Sequence, residues 1–286
     1  FVQLLICGSV VAVFVAASLP IVTQITADLF DENSRGRANG YTAGAIALLS
    51  ALLGPLMGQL SNIENGWRIC FFAAGGLGVV SALCIIWFQD PGVGATEPSL
   101  RKRTAKQRAA NRLTWRKTRD LLKIRPLQLM LGQRLLAGQL LIAPFGVLFL
   151  VETYDFSTAQ AAIITAPFGV TYMIGTFAGG NLADYLHIRN PRRGRVVLLQ
   201  GAQFGIALGC LLGTQIDWHF MWAFGILWGL MGFMQGLNPG VNRPIVMAVV
   251  PPELRGAAFA LMLSVFEAVA HIAFNLIAGF LGDSVG

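Results

Sequence analysis

Apolar runs of about 20 residues recur along this chain. That feature constrains its fold most, because about 20 helical residues cross the roughly 30 Å of hydrocarbon in a bilayer. A sliding hydropathy window gives roughly eight such runs, at residues 1–25, 41–60, 69–88, 127–151, 159–182, 196–216, 220–241 and 257–281. Each is continuously apolar, whereas a barrel strand shows about 10 residues of alternating polarity. A helix also satisfies its own backbone in lipid. With 55% hydrophobic and only 12% charged residues, the chain is too apolar for a soluble core. The expected class is therefore an all-α integral membrane protein.

Basic residues fall on alternate connections. Arg35 and Arg37 follow the first run, a dense cluster at 101–125 the third, residues 189–195 the fifth, and Arg243 and Arg255 the seventh; the opposite connections hold Arg68 alone. By the positive-inside rule the basic loops are cytoplasmic. The net charge of +7 then describes a membrane topology, and no nucleic-acid partner is expected. The long connection at 89–126 opens with Asp90-Pro91-Gly92 and reads further on as a basic helix carrying Leu113, Trp115, Leu121 and Leu122. It is either a solvated linker or a helix lying on anionic headgroups of the inner leaflet. It divides residues 1–88, part of one helical bundle, from residues 127–286, part of a second. Phe1 stands inside an apolar run with neither a basic stretch nor a small-residue cleavage site, so no signal peptide is read there and the start reads as a truncation. The four cysteines are scattered through apolar runs, as small hydrophobes are.

An internal echo links the two parts. The segment Asp28-Leu29-Phe30-Asp31-Glu32-Asn33-Ser34-Arg35-Gly36-Arg37-Ala38 closes the first run, and Val250-Pro251-Pro252-Glu253-Leu254-Arg255-Gly256-Ala257-Ala258 closes the seventh. Both end in Arg-Gly-x-Ala before a new apolar run, as two parallel repeats would produce. At these residues the sequence resembles the major facilitator superfamily, and the order of features is similar to that family's fourth to eleventh helices. Trp67-Arg68 looks like the pair that opens its sixth helix. Gly180-Asn181-Leu182-Ala183-Asp184, with Arg192, Arg193 and Arg195 beyond, resembles the second-half copy of its Gly-x-x-x-Asp signature. The resemblance implies a conformational latch at Asp28, Arg35, Gly180, Asp184, Arg192, Arg193 and Arg255. Within the family the chain looks most like spinster-like transporters, from Pro20 through Ala27-Asp28-Leu29-Phe30 to Asp90-Pro91. That likeness implies a small-molecule substrate, organic or lipid-like, with proton coupling. The chain departs from it at Gly8 and Val15, near positions where the family's fourth helix often carries Arg and Glu.

Ser50, Gly54, Pro55 and Gly58 are similar to a motif of the family's fifth helix. Recurring small residues let a partner backbone approach closely, so helix packing is expected there.

The sharpest polar stripe lies in the last run, where Ser264, Glu267, His271 and Asn275 recur at one-turn spacing. A carboxylate at a helix centre costs about 2.5–3.5 kcal/mol on insertion scales, so Glu267 is expected to face a cavity or a partner. Glu267 and His271 form either a substrate or proton site or a structural pair, with Arg134 as a further partner. Arg134, with Gln139, is read either as snorkelling to headgroups or as a counter-ion for an anionic substrate. Gln235, Asn238, Pro239, Gly240, Asn242 and Arg243 form a broken, polar helix end of the kind at which transporters bind substrate. Gln24 is a further pathway residue. No nucleophile elbow, phosphate loop or metal-ligand cluster stands out, so no catalytic residue, metal or cofactor is expected. A transporter working by alternating access is the main expectation, and a transporter-like sensor or scaffold the alternative. Membrane lipids are expected partners; the sequence leaves the oligomeric state open.

Overall fold

The computed structural model describes residues 2–61, 63–97, 115–136, 142–218 and 220–285, and among these it contains helices and no strand. The first three runs become α1 (Val2–Leu29), α2 (Arg35–Ser61) and α3 (Gly66–Ile85). A short helix, α4 (Trp115–Leu121), precedes the fourth run, whose described residues form α5 (Arg125–Leu135) and α6 (Ile142–Tyr154). The fifth and sixth are α7 (Thr158–Arg189) and α8 (Gly194–Gln215). The seventh is α9 (Met221–Gly236) followed by α10 (Asn238–Val249). The eighth is α11 (Arg255–Ala260), a π-helical segment Leu261–Phe266, and α12 (Glu267–Val285).

Local chemistry sets several of these ends. At the start of α7, Ser157 accepts from Gln160 N while Gln160 Oε1 accepts from Ser157 N, which satisfies two orphan donors reciprocally. Asn190-Pro191 ends the same helix, since proline cannot continue the ladder. Pro239 occupies the first turn of α10, where its missing N–H costs nothing, and Pro244 lies further inside. Among the helices that outrun their apolar windows, α2 begins at Arg35 and α7 continues to Arg189. Their polar ends find partners on one another, so the ladder continues past the hydrocarbon.

Helix α7 lies between α2 and α9 and packs along both; α10 touches α2, α7 and α8, and α11 with the π-helical segment packs on α1. Buried apolar residues form two clusters. One, at the end bearing the basic loops, gathers Ala27, Leu121, Leu127, Met130, Met247 and Phe259. Leu121 is 1% exposed, so α4 is docked into this cluster rather than free in solvent, while Leu122 faces out at 40%. Leu113 of the same connection lies outside the described residues. The second cluster, around Leu150, Ile164, Phe224 and Trp228, seals the opposite end.

Among the described residues five helices are long and apolar enough to cross a membrane. Phe72, Trp87 and Trp222 are each more than 70% exposed, and exposed apolar surface costs about 25 cal/mol per Å² in water. Hydrocarbon removes that cost.

Candidate functional site

A cavity of about 590 Å³ opens between α1, α2, α5, α7, the α9–α10 junction and the last leg. Part of its lining is apolar, from Leu19, Ile46, Ala47 and Leu263. The polar part comes from Arg134, Tyr172, Gln235, Asn238, Asn242, Arg243 and Glu267. Arg134 on α5 forms an ion pair with Glu267, their side chains only 13% and 24% exposed. Asn238 Oδ1 accepts from Gln203 Nε2 at 2.7 Å, which ties α8 to the break between α9 and α10. Glu267 directly follows the π-helical segment, in which each turn holds an extra residue.

At the end bearing the basic loops the helices close on one another. Asp184 Oδ1 accepts from Gly36 N at 2.9 Å and from Arg195 at 3.0 Å, and Oδ2 accepts from Arg37 N at 2.8 Å. These backbone donors belong to the first turn of α2, which has no partners of its own, so the carboxylate of α7 caps α2 and meets its positive pole. Around the cap the backbones nearly touch: a Cβ on Gly180 would lie 2.7 Å from Gly36 O, and one on Gly240 would lie 2.6 Å from Gly180 Cα.

A second knot lies beside the first. Glu97 accepts from Arg35 at 3.1 Å and from Arg255 at 2.6 Å. Arg35 also donates to Ala27 O and Phe30 O, and Arg255 to Met247 O, so each guanidinium staples a helix end. The loop reaches them because Gly92 and Gly94 adopt φ of +81° and +70°, a left-handed conformation natural to glycine. Asp28 then accepts from Gly94 N at 2.7 Å. Burial raises the Glu97 carboxyl, but its bonds to Arg255 and Arg35 outweigh that and hold it below the usual range. The loops after α1, after α3, after α7 and after α10 therefore gather on one face.

The model of the Major Facilitator Superfamily matches residues 1–275. The chain belongs to that superfamily. It is 34% identical over 84 residues to multidrug resistance protein 3 of Bacillus subtilis, which covers 29% of this chain and 16% of that protein. Over 195 residues it is 26% identical to a probable galactarate/D-glucarate transporter of Escherichia coli, covering 60% of this chain and 42% of the relative. The chain thus spans less than half the length of either relative. As a superfamily member it is an integral, multi-pass membrane protein of a transporter family, not of an enzyme family.

Within this superfamily fold the expected site residues separate. Glu267, Arg134, Gln235 and Asn238 share the cavity, and Ser50 lines it too. His271 and Asn275 do not join them: both are exposed, and Glu267 pairs with Arg134 rather than with His271. The extra residue per turn in Leu261–Phe266 shifts the face on which Ser264 lies, and Ser264 donates instead to Ala16 O of α1. Gln24 lies against Gly256 at the α1–α11 contact, outside the cavity lining. Gln139 is outside the described residues. Gly54, Pro55 and Gly58 are helical within α2. Of the expected latch, Asp28, Arg35, Gly180, Asp184 and Arg255 meet at the closed face. Arg192 and Arg193 stay exposed, and Arg195, the next basic residue, serves Asp184. Two features were missed. Glu97 is the only carboxylate between Asp90 and Asp120, an acidic point in a basic connection that could have marked it. Gly36, Gly40 and Gly44, spaced four apart, are the small stripe that α7 packs against.

Proposed function

We propose that this chain is the working part of a secondary transporter for small organic solutes, with the Arg134–Glu267 cavity as its substrate site. Residues 1–88 and 127–286 belong to two helical bundles joined by the connection at 89–126. They rock about the cavity so that it opens to one side of the membrane at a time. The basic loops lie in the cytoplasm, and the knots at Asp184 and Glu97 hold that side shut in the conformation described above. Release of the latch formed by Asp28, Arg35, Gly180, Asp184 and Arg255 opens it. Glu267, exchanging between Arg134 and a proton, is the coupling group.

The observation that carries this reading is an ion pair between two helical legs inside a cavity, with closed helix packing on the basic side. An intramembrane ionisable pair that faces a cavity marks a solute or ion path. The relatives' names, a multidrug resistance protein and a galactarate/D-glucarate transporter, also favour transport of organic solutes. A receptor of similar build that binds without moving its ligand is the second reading, and flux separates the two. In proteoliposomes loaded for counterflow with D-glucarate and with a panel of organic acids and amines, uptake of at least one class is expected, and its loss in Glu267→Gln. Ligand binding with no flux in any gradient would favour the receptor.

A further inference from the structure

The cavity wall is electrically unbalanced. Its described ionisable side chains are Arg134, Arg243, Glu267 and Tyr172. Arg134 and Glu267 neutralise each other, and a tyrosine hydroxyl is uncharged near neutral pH. Arg243 remains, and it makes no hydrogen bond or ion pair with any described residue. It stands on α10, half-buried, a single full charge lining the open cavity.

No described side chain pairs with that charge directly, although Tyr172 and Glu267 stand on the same cavity lining. A guanidinium taken out of water carries a desolvation cost that only a well-placed partner offsets. Arg35, Arg195 and Arg255 each have such a partner in a carboxylate. Arg243 differs from them in facing the cavity. A second donor is also idle nearby, since Arg134 Nε is buried with no hydrogen-bond partner. Asn242, Gln235 and the Tyr172 hydroxyl line the same cavity, as do the apolar Leu19, Ile46, Ala47 and Leu263.

We infer that the site takes an organic anion, with one carboxylate or phosphate oxyanion on Arg243 and a less polar body against the apolar lining at Ile46 and Leu263. The guanidinium fork matches an oxyanion in two-point geometry, which a neutral amide or an ammonium cannot reproduce. The cavity volume suits a solute of roughly drug size. One excess charge sets a preference for monoanions over dianions, whose second charge meets only the idle Arg134 Nε and the neighbouring Glu267 carboxylate. This inference rests on the reading of the cavity as the substrate site.

The test uses the protein reconstituted in nanodiscs and follows its melting temperature with benzoate, 2-naphthoate and phenyl phosphate, against neutral benzamide and cationic benzylamine. At least one anion is expected to stabilise the protein where benzamide and benzylamine do not. Arg243→Gln weakens that binding by about 30-fold or more, and Arg243→Lys recovers part of it. Discs of phosphatidylcholine alone and discs containing phosphatidylglycerol separate the two sources of an oxyanion. If the anionic lipid stabilises through Arg243 and no soluble anion does, the cavity holds a lipid headgroup and the inference is wrong. It is equally wrong if benzamide or benzylamine binds as well as the anions, if Arg243→Gln binds them unchanged while running as a monodisperse peak, or if nothing in the panel binds. Flux reads the parent proposal separately: anion binding that depends on Arg243 without movement across the bilayer sinks transport and leaves the anion site standing. Flux of neutral or cationic solutes, indifferent to Arg243→Gln, does the reverse.

Discussion

Arg35 and Arg255 donate to the same carboxylate oxygen of Glu97, at 3.1 and 2.6 Å. Each arginine opens one copy of the Arg-Gly-x-Ala echo, so the two repeats are pinned to each other through a residue that belongs to neither. Hydrogen bonds to charged groups contribute about 1.5–3 kcal/mol. Glu97→Gln keeps an acceptor but loses the charge and leaves two guanidinium groups facing each other across it. Its melting temperature in detergent is expected to fall by several degrees, and an unchanged value would show that the pin is incidental.

The same residue gives a pH signature. A carboxyl whose folded value lies below its ordinary 4.5 contributes stability that is fully present above that value and lost as pH falls through the folded one. The melting temperature should therefore hold between pH 7 and 5 and drop more steeply below about 4. The part of that drop due to Glu97 disappears in Glu97→Gln, which differential scanning at a series of pH values would show.

Asp184 is more deeply buried than Glu97, at 3%, and so is its partner Arg195, at 5%. Removing one member of such a pair costs about 3–5 kcal/mol because the other charge is stranded. Asp184→Ala also uncaps α2, so it should be the most damaging single change at the closed face. Asp184→Asn, whose amide oxygen still accepts from a backbone N–H, should recover part of the loss in thermal denaturation.

Gly180 tests the seal sterically. A side chain there meets Gly36 O and the backbone at Arg37, and overpacking costs about 1–3 kcal/mol. Gly180→Val should loosen this face, read as faster thiol labelling of a cysteine at the buried position Asn39.

The gathering of the loops on one face makes a topological prediction. Cysteines placed at Arg116 and Arg192 should label from the same side of sealed vesicles, and one at Glu64 from the other. Labelling of Arg116 and Arg192 from opposite sides would contradict the proposed two-bundle arrangement.

The all-helical framework was legible because hydropathy depends only on local composition: the described residues of the eight apolar runs fall mainly on helices, five of which are long and apolar enough to cross a membrane. The contacts at the face bearing the basic loops were half legible. The echo drew attention to Arg35 and Arg255, but their target sits in a connection where no periodicity operates, and only two glycines with positive φ bring Glu97 to them. The polar stripe of the last run failed for a geometric reason. Counting by one-turn steps assumes an unbroken α-helix, and the π-helical Leu261–Phe266 offsets Ser264 from the rest; Glu267 and His271 share one α-helix, but His271 lies a turn further along it, exposed and outside the cavity that Glu267 lines. Arg243 could be read only as part of a broken helix end, since its isolation is a property of tertiary packing.

Alternating access is tested most directly by locking the closed face. Tyr41 and Asn181 are in hydrogen-bond contact across α2 and α7. Cysteines at both positions, with Cys7, Cys70, Cys84 and Cys210 replaced by serine, can be bridged by a short thiol-reactive cross-linker and the counterflow then measured. The account predicts that cross-linking stops flux while leaving substrate binding, and that cleaving the bridge restores flux. Full flux through the bridged protein would contradict it.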